Sequence, residues 1–192
     1  EADLPEMLEI YTPYVVHTTV SFEYAPPSPA EFRRRFAEFT KQFPWLVWEE
    51  NGRLLGYAYA SAPFSREAYQ WCAEPTIYLR EEAHGTGIAR KLYAVLEEIL
   101  FAQGYRVLYS LVCAENTPSI RFHEKNGYRV CAEFSRQGFK LGRWLDMLWL
   151  EKRPETANIP IAPPCKWSEI VQDAESLQNI LDKLSICESR KV

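Results

Sequence analysis

Residues 81–92, Glu-Glu-Ala-His-Gly-Thr-Gly-Ile-Ala-Arg-Lys-Leu, place Gly85 and Gly87 two apart where an extended stretch gives way to a helical apolar pattern. Residues 74–80 read as a strand. Ile88, Leu92, Val95, Leu96 and Ile99 then fall on one helical face, which Gly104 closes. The glycines also have a chemical consequence. Without Cβ atoms, main-chain N–H groups stay accessible where a helix start already has unpaired donors and the positive end of its dipole. Such a turn suits a phosphate. An ordinary tight turn into a helix would use the same residues.

The rest of the chain supplies partners for that strand and helix. Asp3 and Glu6 have the spacing of a capping box, and Leu4, Leu8 and Tyr11 follow at helical intervals. After an extended stretch at residues 17–22, Ser28-Pro29-Ala30-Glu31 offers an N-cap, a proline at the first helical position and a glutamate at the third. Phe32, Phe36, Phe39 and Phe43 form a stripe ending at Pro44 and are expected in the core. Residues 45–50 and 53–62 flank Asn51-Gly52 as a hairpin. A strand at 105–113, a short helix at 116–126 capped by Gly127, and strands at 128–134 and 144–151 complete an α/β pattern. Its sheet is expected to be mixed and mostly antiparallel, flanked by helices, over residues 1–152. The four prolines of residues 153–164 mark a linker through 166. Residues 167–192 form an expected amphipathic helix with Ile170, Ala174, Leu177, Leu181 and Leu184 along one seam. That seam suits packing on the chain's own domain or on a second copy in a homodimer.

Composition narrows the class. At 192 residues the chain can bury one sizeable core, and 47% hydrophobic with 14% aromatic residues calls for a packed globule. A net charge of −4 gives no general attraction to nucleic acid or to an anionic membrane. The longest apolar runs, such as residues 107–114, are too short to span a bilayer. The start, EADLPEMLEIY, has neither a basic nor an apolar signal region, so no secretory signal is expected. Cysteines 72, 113, 131, 165 and 187 include no Cys-x-x-Cys, which fits reduced thiols in the cytoplasm. His17, His84 and His123 have no metal-ligand spacing, and no metal is expected.

A nucleoside-triphosphate loop needs Gly-x4-Gly-Lys-Ser/Thr, which is missing, and a dinucleotide fingerprint needs a third glycine where Arg90 stands. A pair of motifs points elsewhere. HGTGIA (84–89) resembles the Gln/Arg-x-x-Gly-x-Gly/Ala pyrophosphate loop of the GCN5-related N-acetyltransferases (GNAT), with His84 in place of Gln or Arg. ENTPSIRFHEKNGY (115–128) resembles that superfamily's Asn-x-x-Ser/Ala-x-x-x-Tyr-Glu-Lys-x-Gly-Phe signature, with His123 where Tyr is common. Residues 65–79 and 137–147, with TVSFE near the start, look like the phosphinothricin N-acetyltransferase group. The resemblance covers residues 1–152. It departs at Phe64, where a basic residue is expected in phosphinothricin-acting members.

The resemblance implies a GNAT fold and acetyl-CoA as co-substrate. Its phosphates would meet His84, Gly85, Thr86, Gly87, Ile88, Ala89 and Arg90. The main chain of Ile77, Tyr78 and Leu79 would meet the pantetheine and the thioester oxygen, with Asn116 nearby. Acetyl transfer needs a neutral amine, and an α-amine titrates at about 8, so a carboxylate that takes its proton is useful. Glu74 is the implied base, and His123 the implied contact to the thioester sulfur. Phe22, Phe64, Arg66, Tyr69 and Glu74 would surround the acceptor, an amino acid or analogue, with Arg66 placed to clamp a carboxylate. A polyamine or protein N-terminus as acceptor, or a CoA-binding module without turnover, are the alternatives.

Overall fold

The computed structural model describes residues 1–154, 162–173, 175, 178 and 180. Strands β1 (Trp45–Glu50), β2 (Arg53–Ser61), β3 (Cys72–Leu79), β4 (Val107–Cys113), β5 (Arg129–Lys140) and β6 (Arg143–Lys152) form a six-stranded sheet ordered β1-β2-β3-β4-β6-β5. Every neighbouring pair is antiparallel except β3 and β4. Helices α1 (Leu4–His17) and α2 (Pro29–Phe39) cover one face of β2 and β3. Helix α3 (Ile88–Gln103) covers the other, and α4 (Thr117–Lys125) follows β4.

Strand alternation sorts the two faces by size. Ala58, Ala60 and Ala73 lie beneath Leu92, Leu96 and Leu100 of α3, where small residues let the helix approach the sheet. On the opposite face, Tyr57 and Tyr78 join Leu4, Met7, Ile10, Tyr11 and Phe32. Rings stack across this layer, with Trp45 and Tyr59 4.3 Å apart.

Several local expectations hold. Ser28 Oγ accepts from Glu31 N at 3.2 Å, Asn51 and Gly52 both have positive φ in the β1–β2 turn, and Gly104 ends α3 in the left-handed region. Others are corrected. Asp3 makes no side-chain cap; Glu6 instead accepts from Leu54 N at 3.1 Å, so tertiary pairing overrides the local box. Of the extended stretch expected at 17–22, His17 ends α1 and residues 19–21 bend, held by side chains, with Tyr11 bonded to Ser21 and Lys140 donating to the Ser21 carbonyl. The phenylalanine stripe is split. Helix α2 ends at Phe39; Phe32 packs with α1, whereas Phe43 joins Tyr105 and the α3 core.

Part of the expected linker is docked. Gln103 Nε2 donates to Cys165 O at 2.8 Å, and Trp71 Nε1 to Ala162 O at 3.1 Å. Helix α5 (Trp167–Gln172) follows, and Ile170 and Ile180 bury against Ile99 of α3. The described start of the C-terminal seam therefore packs on its own domain. Ala174, Leu177, Leu181, Leu184 and Cys187 lie outside the described residues.

Candidate active site

β3 and β4 run parallel yet share only the pairs Cys72↔Val107 and Ala73↔Leu108. Beyond Ala73 each strand keeps its outer partner, β2 for β3 and β6 for β4, and a gap opens between them. Arg80 N donates to Leu55 O at 2.8 Å. By antiparallel alternation, Glu74, Thr76 and Tyr78 then bond to β2, while Pro75, Ile77 and Leu79 direct their main-chain groups toward β4. Pro75 O accepts from the Tyr93 hydroxyl at 3.2 Å and Leu79 O from the Tyr14 hydroxyl at 2.6 Å. The N–H and C=O of Ile77 and the N–H of Leu79 face the gap. Tyr78, by contrast, turns its main chain to β2 and its ring into the α1–α2 core.

The glycine turn closes one end of the gap. Gly85 and Gly87 have φ of +76° and +90°, with open space where a Cβ would sit, so backbone conformation and not crowding requires glycine here. Thr86 Oγ1 donates to Ala83 O at 2.7 Å, and buried Ile88 packs with Leu79 and Ala83, fixing the turn to the end of β3. The first turn of α3 contains no acid, and Ala89 is followed by exposed Arg90 and Lys91. His84 Nε2 lies 2.9 Å from the Tyr14 hydroxyl. Because that hydroxyl gives its proton to Leu79 O, the histidine nitrogen is the donor.

At the end of β4, Asn116 caps α4 by accepting from Ser119 N at 3.3 Å. His123 is buried, and both ring nitrogens are engaged. Nδ1 donates to Ser119 O at 2.8 Å, so Nε2, 3.1 Å from the Tyr93 hydroxyl, is the acceptor. Burial lowers its pKa, which keeps the ring neutral.

Glu74 stands where the gap begins, with its side chain on the α1–α2 face. It opens into a cavity of about 420 Å³ whose walls include Tyr11, Tyr59, Trp45, Arg35 and Glu23. Burial raises the pKa of its carboxyl, and among the described residues no cation acts against that shift. Arg35 in the same cavity donates from Nη1 to Glu23 at 2.5 Å and from Nε to Glu31 at 2.9 Å. Phe64, Arg66 and Tyr69 line a neighbouring cavity of about 490 Å³ with Lys41 and Gln42, and among the described residues only Phe39 borders both. The acceptor residues expected around Glu74 are thus not brought together. The reason is topological: residues 62–71 leave the end of β2 as a loop with a single 3-10 turn at Glu67–Tyr69 before β3 begins. Phe22 lines neither cavity, because its ring lies against Gly138, where an added Cβ would come within 2.4 Å. Sequence reasoning missed Arg35, although Arg35 and Phe39 are four apart on one helical face.

The acetyltransferase (GNAT) domain profile matches residues 1–149. The chain belongs to the GNAT acetyltransferase family. It is 36% identical over 163 residues to a phosphinothricin N-acetyltransferase of Alcaligenes faecalis, covering 84% of this chain and 82% of that protein. An L-methionine sulfoximine/L-methionine sulfone acetyltransferase of Pseudomonas paraeruginosa is 31% identical, with 78% and 88% covered. A crystal structure of the Sinorhizobium meliloti phosphinothricin acetyltransferase in complex with acetyl-CoA superposes with a TM-score of 0.80 at 35% identity, covering 85% of this chain and 90% of that one. This GNAT enzyme is an acetyl-CoA-dependent N-acetyltransferase of the phosphinothricin and methionine sulfoximine acetyltransferase type. Among the described residues no group of side chains could hold a metal ion, and no helix is long and apolar enough to cross a membrane.

Proposed function

We propose that this enzyme moves the acetyl group of acetyl-CoA directly onto the α-amino group of a free amino acid or analogue within a ternary complex. One observation carries the reading: Glu74, a carboxylate without a cationic partner among the described residues, lies beside the open edge of β3. The co-substrate fits the residues around it. Main-chain groups of Ile77 and Leu79 offer strand-like partners for the pantetheine amides and a donor for the thioester oxygen. The N–H groups of the glycine turn, with Arg90 close by, suit the pyrophosphate. Asn116 borders the same gap at the end of β4.

Glu74 receives the proton that the acceptor ammonium must lose before its nitrogen forms the C–N bond and the C–S bond breaks. The raised pKa makes it a stronger base than an exposed carboxylate. Cys72, two residues earlier, has a thiol pushed up by burial, which disfavours the thiolate that an acyl-enzyme route would need. His123 in its resting tautomer accepts at Nε2 and holds no proton there for the sulfur, so the second proton of the acceptor nitrogen passes to the departing CoA thiolate as the tetrahedral intermediate collapses.

For the acceptor carboxylate we assign Arg35. Glu23 and Glu31 hold its guanidinium through Nη1 and Nε, which directs the remaining Nη2 donors to a ligand. The amino-acid substrates named for the relatives support this pairing of an acid and a guanidinium in one cavity. The test is kcat/KM for methionine sulfone, phosphinothricin and a carboxylate-free amine, followed by CoA release. At least one amino-acid acceptor is expected to exceed the amine about tenfold or more. A preference for the amine would overturn the amino-acid reading.

A further inference from the structure

The gap between β3 and β4 needs a cause, because two parallel strands in register would normally continue to pair. In the register set by Ala73↔Leu108, the next inward-facing partners would be Pro75 and Ser110. Pro75 has no N–H to give to a ladder. Between these two residues sits the hydroxyl of Tyr93, reaching up from α3. It lies 3.2 Å from Pro75 O, 2.9 Å from Ser110 Oγ and 3.1 Å from His123 Nε2. The ring is 1% exposed and packs edge-on against Phe122 and His123. One phenol thus ties α3, β3, β4 and α4 at the apex of the gap.

We propose that Tyr93 is a positioning residue, a wedge whose hydroxyl replaces the missing β3–β4 ladder and sets the depth and width of the channel for the pantetheine arm. The inference rests on the reading that this gap receives that arm. The proton arrangement is consistent. Ser119 holds the His123 proton on Nδ1, leaving Nε2 and Pro75 O as acceptors for the one Tyr93 proton, while Ser110 donates to the phenol oxygen. Removing the hydroxyl would leave three buried polar groups without it, and the strands would be free to close or admit water.

The wedge makes a prediction that general destabilisation does not. CoA contacts both the gap and the glycine turn, whereas adenosine 3′,5′-diphosphate, its nucleotide half, reaches only the turn. Binding of both probes would be measured by calorimetry in the wild type and in Tyr93→Phe. The variant is expected to weaken CoA about three- to tenfold and leave the nucleotide unchanged. Equal weakening of both probes, or no change in either, would overturn the proposal. Should Tyr93→Phe fail to fold, Ser110→Ala removes one of the hydroxyl's bonds at a smaller residue, and the same split between probes is required of it. If wild-type CoA binds no tighter than the nucleotide, the gap is not the pantetheine site and the earlier reading of the gap fails first.

Discussion

The two cavities on either side of Phe39 are close in size but built differently. The Glu74 cavity is framed by strands and helices, with stacked Trp45 and Tyr59 and a guanidinium held by two carboxylates. Arg34 and Arg35 hold Glu31 down to about 2, so its carboxylate stays ionised throughout the neutral range. The neighbouring cavity is bordered by the β2–β3 loop, where Arg66 is exposed and Tyr69, at the end of a single 3-10 turn, is 45% exposed. Regular elements hold a side chain within the tolerance that proton transfer requires, whereas a loop tolerates variation at little structural cost. The difference suggests a division of labour: chemistry and head-group recognition in the first cavity, tuning of the acceptor's tail in the second.

The largest expected effect separates the cavities by turnover. Glu74→Gln keeps size and removes basicity, so kcat should fall about 10²-fold or more for every acceptor while CoA affinity persists. Activity within a few-fold of wild type would move the base elsewhere. Arg35→Ala should raise KM for amino-acid acceptors enough to lower kcat/KM about 10- to 150-fold, the equivalent of a lost charge-assisted pair. Acetyl-CoA affinity should remain near wild type in the same variant. Arg66→Ala is expected to change kcat/KM by less than about fivefold, in keeping with an exposed charge. A larger loss at Arg66 than at Arg35 would exchange the roles of the two cavities. Phe64→Lys should have the smallest effect on overall rate but shift the ratio of phosphinothricin to methionine sulfone upward, as an added ammonium favours an acidic tail.

Glu74 also makes a stability prediction of the opposite sign. Its folded pKa is raised, so the native state holds the proton more tightly than the unfolded chain. Stability from this group is therefore present at acid pH and declines as pH rises through the window between its unfolded and folded values. At pH 7, Glu74→Gln should be at least as stable as the wild type by thermal melting. The pH profile of wild-type kcat/KM should carry an acidic limb above the usual carboxylate range. A variant that lost both turnover and stability would identify Glu74 as a structural residue.

Short-range chemistry was legible in the sequence. Ser28 caps α2, Asn51-Gly52 turns the first hairpin, Gly87 and Gly104 bound α3, and Asn116 starts α4, because each effect acts within a few residues. The two motifs carried the family, and with it Glu74 and the glycine turn. Tertiary structure decided what those residues face. Asp3-Glu6 lost its local box to a partner 48 residues away, and the phenylalanine stripe divided between two cores. Arg35 entered the Glu74 cavity while Arg66 stayed outside it. The gap itself depends on contacts that span 18, 17 and 30 residues, from Tyr93 to Pro75, Ser110 and His123. Periodicity states which face a residue takes on its own element. It carries no information on which residue of a distant element arrives opposite, since that is fixed by how strands align and helices pack once the core closes.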